Sequence, residues 1–221
     1  MTALKTMHWI RIFGITSTLV FSATLVQPQE SSWLSADNSA LDTAELLRKD
    51  YHGPSSHTLQ ITDGAFVSAY QDVVRILEGK NDCSDFFGGP EVLEAFDHLG
   101  ALLRKTYIDK NVGIRMSGEY VIFQRAGSSL RYRVFERAEL NGRGPFFGQN
   151  SLGKPRAFGI GTFSSNTREA RALMLLHELG HMIETSPGHW LLADDGNNDW
   201  KSKENSQIVE KHCAEVIRAK R

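Results

Sequence analysis

Between Ala170 and Ile183 the chain carries Leu173, Met174, Leu175, Leu176, Leu179, Met182 and Ile183, with no proline and Gly180 as its only glycine. Most residues there are good helix formers. Ser164-Ser165-Asn166-Thr167 offers candidate N-caps, and Glu169 lies early enough to favour the helix dipole. The apolar positions cover most of a helix circumference, so the segment is expected to be a helix buried on nearly all sides. Into this stretch the sequence sets His177-Glu178-Leu179-Gly180-His181. A helix turns once in about 3.6 residues, so His177 and His181 share one face, one above the other. Buried polar groups need partners. Two imidazoles offered to one metal ion, with Glu178 beside the first and able to take a proton from a water there, satisfy all three. The alternative is a core helix whose histidines bond other protein groups.

A chain of 221 residues is long enough for one domain with a sizeable core, or one domain with a small appendage. Its hydrophobic content of 41% and charged content of 23% are ordinary for a soluble globular protein. The formal net charge is −1 and there is no basic block, so no nucleic-acid partner is expected. Residues 1–27 differ from the rest. Lys5, His8 and Arg11 precede an uncharged, mostly apolar run from Ile12 to Val26. That run is short for a membrane span, which needs about 20 residues, and suits the core of a secretory signal. The expectation is export to the periplasm or medium, with an uncleaved signal anchor as the alternative. No membrane contact is expected for the mature domain. Cys83 and Cys213 are the two cysteines, and an even count in an exported chain permits a disulfide. Two buried thiols are the other reading. Neither has a second cysteine at metal-site spacing.

Residues 28–60 are rich in Ser, Asp, Asn and Pro and read as a linker or loosely held arm, with a helical candidate at Asp42–Lys49. The domain proper is placed at 61–221. A helix is expected over about Gly64–Glu78, capped by Asp63 and ended by Gly79. Asp82–Gly89 reads as a loop. Pro90 suits the first turn of a helix whose apolar face includes Val92, Leu93, Phe96, Leu99, Leu102 and Leu103. Strand candidates follow at Val112–Met116, Tyr120–Gln124 and Leu130–Phe135, the last two joined by a turn at Gly127-Ser128-Ser129. Residues 138–156 read as a long loop, and Arg156–Phe163 as a strand leading into the motif helix. Thr185–Lys203 looks irregular, and a closing helix is expected over about Asn205–Ala219.

The order of helices, small sheet, motif helix, loop and closing helix, together with His177, Glu178 and His181, resembles the zincins, zinc metallopeptidases of the HExxH type. It also resembles uncharacterised exported bacterial proteins with the same HELGH motif. The resemblance implies an α+β fold, with a small twisted sheet packed on the buried motif helix. It implies a Zn2+ cofactor and a peptide or protein substrate. It also implies that residues 157–163 form the edge along which a peptide lies. The metzincin subgroup is excluded, because its Gly and His positions after His181 hold Glu184 and Pro187 and no Met follows Met182.

Catalytic zinc usually has three protein ligands and an open position. Asp195 is the expected third ligand, as in zincins that use Asp. It lies in a turn-rich loop that Gly196 lets bend back. Asp194, Glu204, Glu210 and His189 are alternatives. His212 is expected in the core or behind the ligands, and His52, His57 and His98 have no helical partner at i+4. The expected activity is peptide-bond hydrolysis with Glu178 as general base. The alternatives are an exported zinc-binding protein without peptidase activity, and a hydrolase of another amide, such as one in cell-wall peptide.

Overall fold

The structure, a computed structural model, describes residues 59–150, 152–156, 159–196 and 198–219. The signal segment, nearly all of the 28–60 arm and its helical candidate lie outside the described residues. No described helix is long and apolar enough to cross a membrane. Helix and sheet are mixed, as expected of an α+β chain.

Helix α1 spans Gly64–Glu78, with Asp63 accepting from the Ala65 N–H at 3.0 Å as its N-cap. Phe66, Tyr70, Val73 and Leu77 are buried along one side. The expected loop after it is instead a short helix, α2, Asp82–Phe86. Asn81 caps it by accepting from the Ser84 N–H at 3.0 Å. Asp82 and Asp85 sit in the first turn, where the helix dipole favours them. Cys83 of α2 is disulfide-bonded to Cys213, and both are fully buried. Pro90 opens a 3-10 turn, Pro90–Val92, that leads into α3, Leu93–Leu102. Leu103 does not extend that helix. It begins a short strand, β1, Leu103–Thr106, which is not among the expected strands.

Strand β2, Ile114–Gln124, joins two expected strands into one, with a bulge between Ser117 and Tyr120. Gly118 takes φ +88° there, a conformation that favours glycine. Strand β3, Arg131–Asn141, runs further than expected and takes the first residues of the supposed long loop. It pairs antiparallel with β2 from Gln124↔Arg131 to Ile114↔Leu140. Its C-terminal end pairs in parallel with β1, Leu103↔Ala138 to Thr106↔Asn141. Its N-terminal end pairs with β4, Ile183–Ser186. A hairpin with β5, His189–Trp190, completes a five-stranded sheet.

The motif helix is α4, Arg168–Met182. Thr167 caps it, accepting from the Ala170 N–H at 3.2 Å. Within α4 only Arg168, Glu169 and Glu178 are not buried. Among the described residues of the expected strand over Arg156–Phe163, none lies in a strand of the sheet. Residues 159–163 form a reverse turn in which Ile160 and Phe163 bond to each other, at 2.9 and 3.0 Å. Gly161, at φ +57°, lets the chain turn where an L side chain is strained. A Cβ at Gly161 would also fall 2.3 Å from the Glu210 carboxylate. Of the peptide-binding edge expected at 157–163, the described residues 159–163 form this turn and offer no strand edge. Thr185–Lys203 is more ordered than expected. It holds the β4–β5 hairpin and the start of the closing helix α5, Asp199–Ala219. Helix α5 starts six residues before the expected Asn205 because Asn198 caps it, accepting from the Lys201 N–H at 3.1 Å. Its first turns are exposed and so carry no apolar stripe to announce them.

One buried histidine is expected to make the stability of the fold depend on pH. His98 of α3 lies against Phe123 and Tyr132, with its Nδ1 2.9 Å from the Tyr132 hydroxyl. Burial lowers its pKa below the ordinary value, against the opposing pull of Glu94. The imidazole then takes up a proton less readily in the fold than in the unfolded chain, which binds one near pH 6.5. Stability is expected to fall as the pH drops through that value. Denaturant curves at pH 7 and pH 5 test this. His98→Gln should lose less stability between the two than the parent chain, and equal losses would remove His98 as the cause.

Candidate metal centre

The i, i+4 spacing on α4 brings the two imidazoles together: His177 Nε2 and His181 Nε2 lie 3.1 Å apart, and both rings are buried. The third group comes from the segment after β5, which is fastened residue by residue. The last carbonyls of a helix lack partners within it. The Leu192 N–H donates to the Gly180 carbonyl at 3.0 Å, and the Leu191 N–H to the Ile183 carbonyl at 2.8 Å. Leu192 is buried over Gly180, with no room for a side chain between them. Asn205 of α5 donates to the Ala193 carbonyl at 2.8 Å. Asp194 pairs with Arg133 of β3. The next residue, Asp195, places Oδ2 3.0 Å from His177 Nε2 and 3.6 Å from His181 Nε2. The Asn198 N–H donates back to the Asp195 carbonyl at 2.8 Å, and Gly196 turns the chain at φ +54°.

His177, His181 and Asp195 form a cluster that could hold a metal ion. Ligand atoms about 2.0–2.1 Å from a tetrahedral zinc lie about 3.3 Å from one another. The observed edges of 3.0, 3.1 and 3.6 Å are of that size, so the donor set fits. The far side of one ring fits as well. His177 Nδ1 lies 3.0 Å from Ser206 Oγ of α5, so it can carry the proton and leave Nε2 free to ligate.

The charged groups of the cluster shift one another's proton affinity. Burial alone would raise the Asp195 pKa, but hydrogen bonds from His177 and His181 outweigh it and hold the carboxyl far below its usual range. Burial would lower the His181 pKa, but the Asp195 hydrogen bond and the charge of Glu178 raise it. Glu178 is partly buried. Desolvation raises its pKa, opposed by the charges of His177 and His181. A carboxylate with raised proton affinity beside the cluster is suited to accepting a proton.

The alternatives to Asp195 are occupied elsewhere. Asp194 faces Arg133. Glu204 is exposed and pairs with Lys201 at 2.8 Å. Glu210 accepts from the Thr162 N–H at 2.9 Å and caps the 159–163 turn. His189 is exposed, with Nδ1 3.2 Å from the Pro187 carbonyl. His212 stacks on Phe86 at 4.3 Å, one residue from the disulfide.

Arg133, Asn205, Ser206 and Leu192 were not expected at the site from sequence. Nothing local marks them, since each is an ordinary residue of its strand, helix or loop. Gly180 did carry a signal, because a glycine inside a good helix often marks a close approach. A Cβ there would lie 2.5 Å from Leu192 Cδ1 and 2.7 Å from Cγ. Gly180→Ala is expected to push Leu192 out of its seat and to cost about 1–3 kcal/mol of stability. An unchanged denaturation midpoint would show that the seat is loose.

No protein-family model, curated protein or solved structure matches this chain.

Proposed function

We propose that the protein is a zinc-dependent peptidase of the zincin type, with His177, His181 and Asp195 as ligands and Glu178 as general base. The observation that carries this reading is the placement of Asp195 against the two motif histidines at zinc-ligand spacing, with Glu178 beside them. Zinc held there would supply a Lewis acid for the scissile carbonyl and would acidify water towards neutrality. Asp195 carries the negative charge that offsets the metal, and Ser206 fixes the tautomer of His177. Glu178 takes a proton from the attacking water as its oxygen bonds to the carbonyl carbon. It then passes that proton to the amine nitrogen as the C–N bond breaks.

A purely structural zinc site would be closed by a fourth ligand and would need no general base. His189, the candidate for that position, points its ring at the Pro187 carbonyl, which supports an open position. The buried disulfide supports an oxidising compartment, and with it an exported, periplasmic or secreted protein.

Purified protein incubated with an unstructured general protease substrate such as casein tests the reading. Hydrolysis should be abolished by a chelator and restored by added zinc. A zinc-loaded chain that leaves casein, short peptides and cell-wall peptide intact would overturn the peptidase reading and favour a non-catalytic zinc protein.

A further inference from the structure

We infer that Arg133 is a positioning residue that holds Asp195 at the metal centre by latching both sides of the cluster to one strand of the sheet. The inference rests on the metal-centre reading above and goes beyond it in naming what sets the third ligand.

Along β3 the pleat turns Tyr132 and Val134 into the core and Arg133 to the opposite face. An arginine there would ordinarily reach solvent, yet this one is only 2% exposed. Its guanidinium lies 4.0 Å from the centroid of the Trp190 ring, 4.7 Å from Phe135 and 5.3 Å from Tyr120. These rings shield it from water and favour its charge. Its polar atoms divide between two targets. Nε donates to the His181 carbonyl at 2.8 Å, which is one of the carbonyls the helix leaves unpaired and lies at the negative end of the helix dipole. The two terminal nitrogens form a fork on the Asp194 carboxylate. One rigid, planar group therefore touches the backbone of the second histidine and the residue before the carboxylate ligand.

The geometry explains why an exposed aspartate is held. Asp194 is 67% exposed, and a solvated carboxylate has little reason to settle in one place. Arg133 is held by its ring cage and by His181, so it presents a fixed fork. The neighbouring Asp195 is then constrained from both sides, by Asp194 before it and by the Gly196 turn after it. Lysine could not do this, because a single ammonium cannot grip the carboxylate with two parallel bonds while also donating sideways to His181.

Zinc affinity of the full chain, measured by competition with a chromophoric chelator, tests the latch. It is paired with melting of the metal-free protein. Asp194→Asn keeps one acceptor for Arg133 but removes its counter-charge, so it should lower metal-free melting modestly while the protein stays folded at the assay temperature, and should weaken zinc binding about tenfold to a hundredfold there. Arg133→Met should weaken zinc binding at least as much, and adding Asp194→Asn to it should bring no further loss, since both act through one contact. Wild-type zinc affinity in Asp194→Asn would overturn the latch and leave the metal-centre reading standing. So would losses that add fully in the double variant. A parent chain that takes up no zinc would overturn both readings.

Discussion

Glu178→Gln is expected to lower peptide turnover by about 10²–10⁴-fold, the usual contribution of a positioned general base, while zinc stays bound. The amide matches the carboxylate in shape but cannot accept the proton of the attacking water. The side chain is not among the ligand atoms, so uptake of metal should survive. Desolvation already disfavours its charge in the fold, so the neutral replacement should not destabilise the domain. Metal content and turnover measured on the same preparation separate the two roles. Undiminished turnover would remove Glu178 as the base, and loss of zinc together with activity would make it a ligand instead.

The second large effect concerns the disulfide. Cys83 and Cys213 are 130 positions apart, so the bridge closes most of the domain into one loop. Closing a loop of that length restricts the unfolded chain, and losing a native bridge typically costs about 2–5 kcal/mol. The double variant Cys83→Ser/Cys213→Ser should lie at the upper end, because both positions are fully buried and gain hydroxyls there. For a domain of this size that is a fall in melting temperature of roughly 10–20 °C. The bridge also ties α2 to the helix that supplies Asn205 and Ser206 to the site. Zinc binding should therefore weaken as the protein approaches its lowered melting point, and recover on cooling. A variant that melts with the parent chain would show that packing alone holds α5 in place.

Some elements were legible because their cause is local. Helix α1 was read at Gly64–Glu78 from apolar spacing, an Asp cap and a terminal Gly, all within the segment. Helix α4 is legible from the cap candidates at 164–167, Glu169 in the first turn and an unbroken run of apolar helix formers. Asp195 could be singled out because a short acid before Gly196 in a turn can bend back. Where the reading failed, the deciding partner lay far along the chain. Arg156–Phe163 has strand-like composition, but Gly161 turns against Glu210, 49 positions on, and none of the described residues there joins the sheet. Leu103 continues the apolar face of α3, but pairing with Ala138 draws it into the sheet.

The sequence by itself determined the motif helix, the pairing of His177 with His181 and the position of Glu178, because helical geometry acts over four residues. It narrowed the third group to a few acids and one histidine. Only the tertiary structure decided which of them faces the two imidazoles. Arg133 takes Asp194, Lys201 takes Glu204, Thr162 takes Glu210, and Asp195 is left facing the imidazoles. That sorting depends on which strand, loop and helix meet around the end of α4, and residues 61 positions apart meet only when the sheet has formed.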